Sequence, residues 1–215
     1  MVENIPKIEA LIDGKYDIRE TLIISSVFSI ILERFKKYAI STVDHFFASE
    51  FKKNVNDKLT MSRGEEFKKL IHKYGNLNSG NHTCKDFRTC TYFFLDMGFM
   101  SQEEVNKVNK YYDEKNNISH ELYEIILDDK NNGVYIDDIL DLYCIYKKVY
   151  RKWFQEVEAT TGLIDHENYY HRNYDYDLEN VESVETILLW KIIENGLQGI
   201  PAWELFQEAL NNSQK

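Results

Sequence analysis

From Ile136 to Val157 the apolar residues return every third or fourth position. Ile136, Ile139, Leu140, Tyr143, Tyr146, Tyr150, Trp153, Phe154 and Val157 therefore share one side of a helix of about six turns. A chain carrying such a stripe must bury it, and the partner surface here has to be helical as well. Nine glycines and two prolines, Pro6 and Pro201, leave little turn chemistry for a sheet, and no alternating strand pattern stands out. Fifteen tyrosines, twelve phenylalanines and three tryptophans supply ample core material.

The same period recurs elsewhere. Ile24, Val27, Phe28, Ile31, Phe35, Tyr38, Val43 and Phe46 predict a long helix from about Asp17 into the forties, with room for a kink near Ser41-Thr42. A short helix is predicted over Ser62–Tyr74, closed by Gly75 and followed by a loop to Asn81. Another spans Cys84–Met97 and ends at Gly98. Ser101-Gln-Glu-Glu104 is a capping box, in which the serine oxygen caps the first turn while Glu104 reaches back. Val105, Val108, Tyr111 and Tyr112 carry that helix forward, His120–Leu127 follows, and Asp128–Gly133 is a turn. Thr161–Asp177 has no helical period and is expected to be a loop or an extended cover. Val181–Glu194 is expected as a helix stopped by Gly196, and Pro201 suits the first turn of a last helix ending near Leu210. The expected fold is all-α, one helical domain over residues 1–215: N-terminal helices at 1–80, a motif region at 84–157, and a cover segment with helices at 161–212.

The net charge of −10 is uneven, with 15 Lys/Arg against 12 Asp/Glu in residues 1–90 and 11 against 24 in residues 91–215. A diffuse polyanion-binding surface needs a strongly basic stripe. Contact with nucleic acid would thus be local, at Arg34–Lys73, which holds ten basic and five acidic residues, or at a smaller cluster. The longest apolar stretch, Leu22–Leu32, is broken by serines and falls short of the ~20 residues that span a bilayer, so no membrane partner is expected. Met1–Leu11 lacks the pattern of a secretory signal, and Cys84, Cys90 and Cys144 form no disulfide framework. A reduced, cytoplasmic setting is the expectation. Cys144 is expected to be a core thiol.

Lys115-Asn116-Asn117-Ile118-Ser119-His120 gathers a cation, amides and an imidazole in six residues. On a continuous helix Asn116 and His120 share a face, and Lys115 lies about 140° round from His120, able to swing back or to face a symmetric copy of the site. An imidazole can act as general base or acid, and an ammonium can stabilise charge on a transferring phosphoryl group. For RNA cleavage these parts suffice without metal. The competing interpretation is an Asn-Asn helix break, with Ser119 or His120 capping the next helix.

The run Gly98-Phe-Met-Ser-Gln-Glu-Glu-Val-Asn-Lys-Val-Asn-Lys-Tyr-Tyr-Asp-Glu-Lys-Asn-Asn-Ile-Ser-His120 resembles the HEPN superfamily of helical nucleotide-binding and ribonuclease domains. Asn116, Ile118, Ser119 and His120 match its Arg-Asn-x-Ile-small-His shape, and Lys115 stands where the family has arginine. The resemblance covers roughly residues 84–157. It implies an up-and-down helical bundle with extra N- and C-terminal helices here, and a metal-independent endoribonuclease without cofactor. It also implies a homodimer whose two motifs face one another, serving as a toxin or abortive-infection effector, with an antitoxin or regulatory protein as a further partner. His120 would transfer the proton, Asn116 would orient, and Lys115 would hold the phosphate as a point charge rather than a bidentate fork. Arg88 is the candidate to compensate, as a substrate-binding residue. Leu122 occupies the position at which some toxin members carry a modifiable tyrosine, so that regulation is not expected.

Other clusters carry less. His82, Cys84 and Cys90 lack the four-ligand spacing of a structural zinc site, and His166 and His171 lie five apart rather than the four a zincin helix needs, so no metal site is expected. Asn168–Tyr176 offers aromatic faces and Arg172 to unpaired bases, but its aspartates favour a packed cover. There is neither a glycine-rich phosphate loop nor a Gly-x-Ser-x-Gly turn. The alternative to an enzyme is a non-catalytic helical binding module, such as an immunity, antitoxin or adaptor protein with a degenerate motif.

Overall fold

The computed structural model describes residues 9, 12–13, 18–47, 50–53, 59–62, 64–77, 84–127, 136–160, 182–200 and 202–213. Loop residues 78–81, the 128–133 turn, the 161–177 segment with His166, His171 and Arg172, and also His82 and Pro201, lie outside the described residues. The fold is all-α, as the periodicity requires. Helices α1 (Ile18–Phe46), α2 (Glu65–Tyr74), α3 (Lys85–Asp96), α4 (Gln102–Leu127), α5 (Ile136–Trp153), α6 (Val184–Leu197) and α7 (Ala202–Ser213) follow in order. One hairpin interrupts them: β1 (Glu50–Lys53) pairs antiparallel with β2 (Leu59–Ser62), Glu50 opposite Ser62 and Lys53 opposite Leu59. Four-residue strands are too short for a period of two to stand out, which is why the sequence did not announce them. Ser62 belongs to β2, so α2 begins later than expected. No helix among the described residues is long and apolar enough to cross a membrane.

The chain divides into two compact units, residues 32–122 and residues 1–31 with 123–215. In the first, an aromatic relay joins three helices. Phe35 of α1 meets Phe87 of α3 edge-on at 5.6 Å between ring centroids, and Phe87 meets Tyr112 of α4 at 6.1 Å. Phe35 and Phe87 are fully buried, and each such side chain contributes about 1.5–3 kcal/mol by leaving water. Tyr74 of α2 stacks on Tyr92 of α3 at 6.0 Å, and its hydroxyl donates to the Asp96 carboxylate, which also pairs with Lys73 at 3.0 Å.

Helix α3 closes in a Schellman motif. Gly98 adopts φ +74°, Gly98 N donates to Leu95 O, and Phe99 N donates to Phe94 O. The Phe94 and Phe99 rings stack at 6.3 Å, the apolar contact that accompanies this cap. The Ser101–Glu104 capping box then opens α4 in both directions: Glu104 N donates to Ser101 Oγ at 3.2 Å, and Ser101 N to Glu104 Oε2 at 2.7 Å. No break falls in α1 at Ser41-Thr42, and the helix runs on to Phe46.

In the second unit the long stripe on α5 is buried from Ile136 to Trp153 except at half-buried Tyr150, and the helix passes into a π-helical turn, Phe154–Glu158, across which Ala159 N donates to Phe154 O at 2.9 Å. Tyr143 packs on Trp190 of α6 at 5.2 Å, and Trp190 packs on Phe206 of α7 at 5.5 Å. Ser183 caps α6 through a bond from Thr186 N. Gly196 does not stop that helix. It lies inside it, where an added Cβ would come within 3.1 Å of Val27. The stop is a type II turn over Leu197–Ile200, with Gly199 at φ +85° and Ile200 N donating to Leu197 O. Cys144 is exposed rather than in the core, because it lies about 100° round α5 from Tyr143, just outside the buried arc.

Candidate functional site

The hexamer is not a helix boundary. Lys115 to His120 sit inside α4, which continues to Leu127. Asn116 and His120, four apart on this unbroken helix, share a face: Asn116 is half-buried and His120 exposed. Ile118 is buried on another side of the helix and helps to fix its rotation. Asn109 lies two turns before Asn116 on nearly the same line, and its buried Oδ1 has no hydrogen-bond partner.

Lys115 is drawn to the opposite edge of the face, toward α1. Its Nζ lies 3.0 Å from Glu33 Oε1. The same carboxylate accepts from Lys36 Nζ, one turn further along α1, at 3.2 Å to Oε2 and 3.5 Å to Oε1. Lys36 Nζ also stands 5.3 Å from the centroid of the Tyr112 ring, one turn before Lys115 on α4. Two ammoniums thus converge on one carboxylate, against the aromatic ring that ends the Phe35–Phe87–Tyr112 relay. The packing that buries Phe35 and Tyr112 places Glu33, Lys36 and Lys115 at the rim of the core. The Lys36 and Lys115 side chains are only 23% and 22% exposed, while Glu33 is 43% exposed.

The electrostatics follow from that geometry. Partial burial pushes the Glu33 carboxyl up, but the hydrogen bonds and charges of Lys115 and Lys36 outweigh it and hold the group below the usual carboxylate range. Burial pulls Lys36 down, and the bond it donates to Glu33 together with the neighbouring Tyr112 hydroxyl more than restores it, so it is held above the usual lysine range.

Arg88 is placed differently from what a substrate-binding role requires. It is 4% exposed, and its Nη1 donates to the carbonyl of Gly75 at 2.9 Å, tying α3 to the turn that closes α2. In the basic region Lys36, Lys68, Lys69 and Lys73 each lie in an ion pair, while Arg34 and Lys37 are exposed. Among the described residues no three His, Cys, Asp or Glu side chains converge as a metal would need. Glu33 and Lys36 were not singled out from the sequence. Their i, i+3 spacing is visible there, but the partner about eighty residues away is not. Compared with protein-family models, curated proteins and solved structures, the chain finds no match.

Proposed function

We propose that the protein is an HEPN-like, metal-independent endoribonuclease that acts as a homodimer in bacterial defence or a toxin–antitoxin system, in the cytoplasm. The observation that carries this is the single unbroken helix on which Asn116 and exposed His120 share a face, with Lys115 held one edge away beside a second lysine. In the reaction the His120 imidazole takes the proton of a ribose 2′-hydroxyl. The 2′-oxygen bonds to the adjacent phosphorus, and the bond from phosphorus to the 5′-oxygen breaks. A 2′,3′-cyclic phosphate forms, and the departing 5′-oxygen receives a proton from the imidazolium of a second copy of the motif across the dimer. Lys115 stabilises the charge on the pentacoordinate phosphorus, and Asn116 orients the ribose or phosphate. RNA incubated with the protein in a chelator should be cut, and His120→Ala should stop the cutting while circular dichroism stays that of a folded helical protein.

A second function is favoured by one observation. Lys115 is already engaged by Glu33, and Arg88 is buried on a backbone carbonyl, as suits a non-catalytic binding module with a degenerate motif. In that case Lys115→Arg gains no nuclease activity, and the wild-type protein purifies with a stoichiometric protein partner.

A further inference from the structure

We propose that Lys36 and Lys115 together form a phosphate cradle, filled by the Glu33 carboxylate in the RNA-free protein, and that an RNA phosphodiester enters by displacing Glu33. This rests on the ribonuclease proposal only for the carrier of the phosphate. A single lysine is a poor substitute for a guanidinium because it presents one point charge. Two lysines from two helices remove that objection. Glu33 has one oxygen against Lys115 at 3.0 Å and the other against Lys36 at 3.2 Å, the two-point grip a guanidinium would give. A phosphodiester likewise presents charged oxygens on one centre, so the carboxylate marks where it would sit.

The cradle is built in advance. The Tyr112 ring stands beside the Lys36 ammonium, and both lysines are less than a quarter exposed, whereas Lys68 and Lys69 on α2 are 54% and 71% exposed. Two ammoniums face one carboxylate, so an incoming anion meets two cations in place of the carboxylate it displaces. Glu33 is the more exposed member of the group, 43%, so it can rotate out without dragging a packed side chain with it. Glu33 is then an internal competitor that lowers affinity for any phosphate and keeps the lysines from binding polyanions indiscriminately.

The test measures binding separately from cleavage. Full-length protein carrying His120→Ala, so that the probe survives, is titrated into a fluorescein-labelled single-stranded RNA 20-mer in chelator, by anisotropy at several salt concentrations. Lys36→Ala and Lys115→Ala should each weaken binding roughly tenfold, and each should reduce the slope of log affinity against log salt by about 0.7. Glu33→Gln should tighten binding several-fold, Lys36→Arg should retain it, and Lys68→Ala should match the parent. If Lys36→Ala behaves as Lys68→Ala does, or Glu33→Gln binds no tighter, the cradle is overturned. If the RNA binds none of the proteins, the RNA assignment fails and inorganic phosphate decides the cradle. Phosphate should then raise the melting midpoint of Glu33→Gln more than that of Glu33→Gln/Lys36→Ala, and equal shifts overturn it.

Discussion

Two sets of lysines in the 32–122 unit are paired in different ways. On α2, Lys68 and Lys69 reach back three residues to Glu65 and Glu66, all well exposed, and every atom of each pair belongs to one helix. At the rim of the core, Lys115 crosses from α4 to Glu33 on α1, where Lys36 joins it. The α2 pairs would form on any isolated helix with that sequence, and such pairs contribute about 0.2–0.5 kcal/mol each. Lys36–Glu33 is likewise an i, i+3 pair on α1, but its junction with Lys115 exists only when the Phe35–Phe87–Tyr112 relay has packed, so the geometry of the three-membered group is a property of the tertiary fold. A charge cluster placed by packing is positioned well enough to hold a ligand. A charge cluster placed by helix spacing is a solvated surface.

The contrast can be broken most forcefully at the relay. Phe87→Ala should destabilise the protein by about 3–5 kcal/mol, read as a lowered denaturant midpoint. RNA affinity should fall with it, because the elements carrying Glu33, Lys36 and Lys115 lose their common packing. A smaller loss of about 1–2 kcal/mol is expected from Gly98→Ala, where φ is +74° and a side chain is strained even though space is open around it. Fluorescence-monitored denaturation would measure it, and an unchanged midpoint would mean that the turn after α3 relaxes freely. Titration with acid probes the Glu33 group next. Because the Glu33 carboxyl is held below its ordinary value of 4.5, its contribution to stability is present above that value and disappears as pH falls through the depressed one. Glu33→Gln should flatten part of that acid loss, with its stability curve converging on wild type at low pH. The smallest effect belongs to the exposed pairs: Lys68→Ala and Lys69→Ala should each move stability by less than about 0.5 kcal/mol and leave RNA binding unchanged.

The sequence made the helices legible because their apolar residues recur at three and four, and the capping box at Ser101–Glu104 is present in both of its bonds. Boundaries were clear where a glycine takes positive φ, as at Gly98. They were misleading at Gly196, whose missing side chain serves close packing against Val27 while Gly199 makes the turn. The hairpin escaped notice because four-residue strands carry too little pattern. At the site, Lys115, Asn116 and His120 could be picked out because they are neighbours in the chain. Glu33 and Lys36 could not, since periodicity places them at the edge of a helix face without saying which helix lies opposite. Arg88 shows the converse. Its type suggested a phosphate contact, but only burial and a bond to the Gly75 carbonyl reveal that it ties two helices together.

Cleavage itself provides the most direct measurement. Single-stranded RNA is incubated with wild-type and His120→Ala protein in excess chelator, and the product ends are identified by mass spectrometry. Wild type should produce 2′,3′-cyclic phosphate ends, and His120→Ala, with helicity unchanged, should leave the RNA whole. RNA left intact by wild type, cutting that survives the substitution, or cutting that appears only with added magnesium would contradict ribonuclease action by this helix.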